Sequence, residues 1–182
     1  NETYATLLNE AKEAYAKGFV YSADGVTHDG VFTVGDGLVT DGSKFVSNAF
    51  ETQEGANCSY EGLLDNNFDT YFHSVWSSAA YADSYHHLDA ELSEAADVVV
   101  LKYAKRPNDG GGNPSKIHVY ASNDTTNGNW TDQGYMFCSY PWSITLSNGN
   151  EKAGQAGITF AAFDGKYKFI RLAVEETTGM ST

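Results

Sequence analysis

Three segments of the chain are apolar at every second residue. Leu88, Ala90 and Leu92 alternate with Asp89 and Glu91, Ile117, Val119 and Ala121 alternate with His118 and Tyr120, and Ile170, Leu172 and Val174 leave Arg171 on the other side. Only an extended strand sends successive side chains to opposite faces, so each segment predicts a strand with one dry and one wet face. Residues 98–101, Val-Val-Val-Leu, are β-branched and too few for a buried helix, which predicts a central strand covered on both faces. Further strands are expected at 143–146, 157–163 and 167–174, with glycine-broken edge strands in 19–50. Eighteen glycines against three prolines, with many Asn and Asp residues, supply the turns between them. Helical spacing recurs only at the start, where Tyr4, Leu7 or Leu8, Ala11 and Tyr15 are followed by Gly18. The domain reading is therefore a helix or linker over 1–18 and one β-domain over 19–182. Short strands with glycine turns mean a sandwich or a barrel, and periodicity alone does not choose between them.

A chain of 182 residues suits one hydrophobic core. Its formal net charge of −13 argues against nucleic acid and anionic lipid as partners, because both are themselves negative. A neutral ligand or a cation fits better. Cys58 and Cys138 match no zinc spacing, which leaves a disulfide or two free thiols. A start at Asn1 with no Met is expected of a mature fragment or of a piece cut from a longer chain.

Residues 62–78 concentrate hard oxygen donors, aromatic rings and a histidine. Asp65, Asn67, Asp69 and Thr70 gather side-chain oxygens in a turn, and 71–76 has the aromatic and branched content of a strand. The spacing Asp65-x-Asn67-x-Asp69 imitates the start of an EF-hand, but Thr70 stands where its glycine belongs and Trp76 where its bidentate Glu belongs, so an EF-hand is rejected. Taken alone, the residues are equally those of a turn that caps its own backbone.

The order Leu64-Asp65-x-Asn67-x-x-Thr70 followed by Phe72-His73-Ser74-x-Trp76-Ser77 resembles the signature of the discoidin, or coagulation factor V/VIII type C, superfamily. It is similar in particular to the galactose-binding-like family 32 carbohydrate-binding modules of secreted bacterial proteins. The resemblance covers roughly residues 47–178 and includes Ser47-Asn48-Ala49, the strand around Leu88, Trp130-Thr131 and Lys168-Phe169-Ile170-Arg171-Leu172. It implies an all-β fold, a jelly-roll-like antiparallel β-sandwich, here preceded by a short helix. It implies a structural calcium ion held by the Gly62 carbonyl, Asp65, Asn67 and Thr70. The family's last acidic calcium ligand lies on a final strand that has no counterpart before Thr182.

The same resemblance assigns sugar binding to His73, Arg106 and Asn113, with Trp76, Tyr140 or Trp142 as the stacking ring. Planar donors and acceptors suit vicinal hydroxyls, and an aromatic ring suits the C–H face of a sugar. The function expected is a non-catalytic carbohydrate-binding module that targets a larger secreted bacterial protein to glycans, terminal galactose or N-acetylgalactosamine. The alternative is a structural or protein-interaction spacer of a surface protein with no sugar ligand. Partners are then a glycan and the other modules of the parent chain, with a monomeric state and an extracellular or cell-surface location. No nucleophile motif, phosphate loop or zinc pair points to catalysis. Asp89 and Glu91 lie on one strand face and imitate a glycosidase carboxylate pair, but strand alternation accounts for both.

Overall fold

The structure, a computed structural model, describes residues 38–39, 41–75, 85–107, 112–126 and 128–179. The expected N-terminal helix, the strands read before residue 38 and Trp76 lie outside the described residues. Among the described residues six strands follow one another: β1 (Phe45–Ser47), β2 (His87–Ala104), β3 (Asn113–Ser122), β4 (Thr131–Phe137), β5 (Trp142–Thr145) and β6 (Glu151–Thr178). Their order is β1-β2-β6-β3-β4, with β5 also on β6, and every pairing is antiparallel. This is the all-β architecture that the alternating segments predict, with the antiparallel pairing that the family resemblance implies.

The strands read separately at 88–92 and 97–105 are one strand, β2, and those read at 157–163 and 167–174 are one strand, β6. No glycine or proline interrupts 93–97, so the β2–β6 ladder continues through an irregularity instead of stopping at a turn. The register shifts between Glu91 and Ala96 and again between Ala96 and Val98. An extra residue in one strand reverses which face its later side chains take. That reversal is visible in the burial. On β2 the core takes Ala90 and Leu92 before the irregularity and Val99, with Leu101, after it. On β6 it takes Ala161, with Phe163, and then Ile170 and Leu172. Both strands change from one parity to the other at the same level, as strands do when they turn a corner between two layers.

Both halves of the β2–β6 ribbon thus line one core, to which β3 adds Ile117 and Val119 and β4 adds Met136. A smaller cluster of Trp142, Ile144 and Ala156 fills the β5–β6 end, with Phe68 packed against it. Val98 and Val99 are consecutive and both 6% exposed, so this part of β2 is covered on both faces, as its apolar run predicts. On the wet face, Asp89 and Arg171 are cross-strand partners and form a bidentate pair, with Nε–Oδ1 and Nη2–Oδ2 both 2.7 Å. The guanidinium also lies 4.3 Å from the centre of the Trp130 ring. Glu91 pairs with Lys44 at 3.1 Å and with Lys168 at 3.9 Å. The two carboxylates that imitate a catalytic pair therefore hold strands together. Cys58 and Cys138 are both free thiols, which closes the choice that the sequence leaves open.

Candidate functional site

Residues 50–75 lie between β1 and β2 and carry the expected cation turn and His73. They are anchored by a ring cluster: Phe50, Tyr60 and Phe72 have centroids 4.9, 5.9 and 5.8 Å apart. The described part of the expected strand at 71–76, residues 71–75, is reduced to isolated bridges, Cys58 with Tyr71 and Phe50 with Ser74. Aromatic and branched content favours an extended backbone, but a ladder needs a partner segment of matching length, and each partner here offers one residue.

Arg106 lies just beyond the end of β2. Its guanidinium carbon is 4.4 Å from the centre of the Tyr71 ring, and Nη1 is 3.4 Å from Glu54 Oε2. The Tyr71 hydroxyl donates to the same Glu54 oxygen at 2.6 Å, and this bond raises the phenol above its ordinary pKa. One carboxylate thus fixes both the cation and the ring beneath it. The Arg106 side chain remains 30% exposed, and a guanidinium has five N–H donors, more than this contact engages. Glu54 is the residue that sequence reading missed. It lies 52 positions from Arg106, in a loop with no periodic pattern.

His73 reaches the same neighbourhood through Cys58. The thiol donates to the Glu51 carbonyl at 3.8 Å, burial pushes its pKa up, and the His73 main chain, Glu54, Glu51 and Arg106 all act on it. The imidazole is half-buried, with Nδ1 2.6 Å from the Ser74 carbonyl oxygen. Asn113 opens β3 and is only 7% exposed. Tyr140 sits beside it, since its hydroxyl donates to the Pro114 carbonyl at 2.8 Å. Its ring meets Tyr103 edge-on at 5.3 Å and the Lys105 ammonium at 5.2 Å. Burial raises the Tyr140 phenol well above its usual range and the neighbouring Cys138 thiol to about 11. Consecutive residues Lys105 and Arg106 thus serve two groups, one with Tyr140 and one with Glu54 and Tyr71. Trp142 is 4% exposed inside the β5–β6 cluster, so its ring offers no open face.

The turn expected to hold a cation is closed on itself. Asp65 Oδ1 accepts from the Asn67 N–H at 2.9 Å, and Asp65 Oδ2 accepts from the Thr70 hydroxyl at 2.6 Å. That hydroxyl also lies 2.8 Å from the Asn67 carbonyl, so Asp65, Asn67 and Thr70 converge. Gly62 packs against the far end of the same turn. A Cβ there would come within 2.9 Å of the Tyr71 nitrogen, so the approach requires glycine. Asn66 takes a left-handed conformation, φ 59°, and its Oδ1 is buried with no hydrogen-bond partner. Among the described residues, no three His, Cys, Asp or Glu side chains gather in a way that could hold a metal ion. A cation here would have to rest on amide, hydroxyl and main-chain oxygens with Asp65 as its carboxylate.

No protein-family model and no curated protein sequence matches the chain significantly. Solved structures do. CpGH89CBM32-5 from Clostridium perfringens, in complex with GalNAc-β-1,3-galactose, is similar at 16% identity and TM-score 0.51, over 75% of this chain and 86% of that one. The CBM32-1 and CBM32-2 domains of Clostridium perfringens ZmpB, in complex with GalNAc, are similar at 11% identity and TM-score 0.51, over 78% of this chain and 33% of that one. The all-β architecture, the corner-turning ribbon and these likenesses agree on one point: the chain has the β-sandwich fold of family 32 carbohydrate-binding modules.

Proposed function

We propose that this chain is a non-catalytic carbohydrate-binding module of a larger secreted bacterial protein, which it holds on glycans ending in galactose or N-acetylgalactosamine. The observation that carries the reading is the partly exposed Arg106 guanidinium, oriented by Glu54 over the Tyr71 ring. A fork already held in place loses little freedom when it donates to two vicinal hydroxyls. Glu54 can accept from a hydroxyl, and Tyr140 supplies a half-buried ring beside Asn113. The two similar structures with TM-scores of 0.51 are complexes with GalNAc or a GalNAc-containing disaccharide, which supports this ligand class.

A calcium ion in the turn of residues 62–70 belongs to the same proposal, in a structural role. The oxygens of Asp65, Asn67 and Thr70 that already converge, with the Gly62 carbonyl, suit a hard cation that takes six to eight oxygen ligands. Ion binding to the folded state alone raises its stability. A fall in melting temperature on chelation, absent in Asp65→Ala, is the expected result; no change in the wild-type protein would reduce the segment to a turn.

The spacer alternative has two observations in its favour: Arg106 already has an acidic partner, and Trp142 is withdrawn into the core. A glycan array decides between the two. Retention on galactose- or GalNAc-terminated glycans is expected, whereas a folded, calcium-supplied protein that binds none of them favours the spacer.

A further inference from the structure

We infer that the wet face of β3 and β4 carries a second saccharide-binding surface, centred on Phe137 and separate from the Arg106 site. Phe137 is 67% exposed and Tyr135 44%, two residues apart on the same face of the edge strand β4. Their ring centroids are 6.5 Å apart. Tyr135 is held by its neighbours: the His118 ring lies 4.3 Å from it, and the Lys116 ammonium sits 4.4 Å from its centre. Phe137 has the freer ring, and its cross-strand partner is Lys116. Lys116 is fixed in turn by Glu175 at 2.8 Å and Glu176 at 3.7 Å, the second of these carboxylates being 65% exposed. An open aromatic platform is thus rimmed by an ammonium donor, a phenol and carboxylate acceptors.

A neutral pyranose is the occupant this chemistry fits. Its C–H face can lie on Phe137 while its hydroxyls meet donors and acceptors of both kinds at the rim. The single ammonium of the patch is already paired with two carboxylates, and the net charge of −13 further opposes anions. Two exposed rings are also far short of the roughly 1,000 Å² that a specific protein interface buries, whereas they suffice for one or two sugar rings.

The test is a two-dimensional aromatic and amide NMR titration of the full chain with galactose, N-acetylgalactosamine and lactose, each taken into the millimolar range. Wild type, Arg106→Ala and Phe137→Ala are compared, with the amide spectrum of each variant confirming its fold. Saturable shifts at Phe137, Tyr135 and Lys116 are expected in wild type, unchanged in Arg106→Ala and lost in Phe137→Ala. Phe137→Ala should leave shifts around Arg106 in place. Absence of saturable shifts on β4 with all three sugars overturns the second surface, whether or not the Arg106 region responds. Shifts on β4 with none around Arg106 overturn the primary assignment instead.

Discussion

Glu54 decides how Arg106 is presented, and no sequence pattern pointed to it. His73, Arg106 and Asn113 come from the family resemblance, which gives them places in the sequence but no partners. Glu54 meets Arg106 only through the folding of the 50–75 loop. Trp142 shows the opposite limit: an aromatic residue reads equally well as a platform or as core, and its alternation with Ile144 was the signal for core. Replacing Glu54 with Gln keeps the shape and removes the charge that orients the guanidinium. Affinity for galactose should fall about tenfold, which is about 1.4 kcal/mol. The melting temperature should hardly move, because partly exposed ion pairs contribute roughly 0–1 kcal/mol. Calorimetric titration beside a thermal melt checks both, and an unchanged affinity would show that Arg106 does not depend on Glu54.

At the scale of elements, apolar patterning located β2, β3, β5 and β6 but neither β4, which brings Met136 to the core, nor the continuity of β2 and β6. Residues 93–97 read as a break because their polar content interrupts the apolar pattern. Backbone pairing survives there because it depends on N–H and C=O groups rather than on side chains. The reverse held for 71–76, where strand-like side chains found no segment long enough to pair with. Gly157 marks a close approach that the ribbon depends on. It pairs with Tyr103, and a Cβ there would clash first with the Ser139 carbonyl oxygen and would also lie 2.7 Å from the Tyr103 hydroxyl and 2.9 Å from its ring. That hydroxyl is fixed between the Ser139 carbonyl at 2.7 Å and the Ser139 N–H at 2.9 Å. Gly157→Ala should therefore cost about 1–3 kcal/mol through overpacking, read as a lower urea midpoint. A midpoint equal to wild type would mean that the Ser139 main chain and Tyr103 both move aside freely.

Across the whole molecule, the acidic composition argues against polyanionic partners, and it also shapes the response to pH. Burial holds His86 and His87 below the ordinary histidine pKa, with Asp89 opposing in part at His87. The unfolded chain binds those protons more readily, so this contribution is complete above pH about 6.5 and is lost as pH falls through the folded-state values. Hydrogen-bond donors hold Asp132 and Glu175 low, chiefly the Gly134 N–H for the first and the Lys116 ammonium for the second. Their contribution is complete above the ordinary carboxylate range, near pH 4, and is lost below it. Urea midpoints should be flat between about pH 7 and 8, decline first below about 6.5 and again below about 4. A His86→Gln, His87→Gln double variant should lack only the first decline, and a wild-type midpoint that rises on acidification contradicts this. The central claim concerns binding, and isothermal titration of wild type and Arg106→Ala with N-acetylgalactosamine in the presence of calcium tests it most directly. Wild type should bind at about −4 to −6 kcal/mol, millimolar to high micromolar, and Arg106→Ala should lose at least tenfold while melting within a few degrees of wild type. Equal affinity in the two proteins would contradict the account.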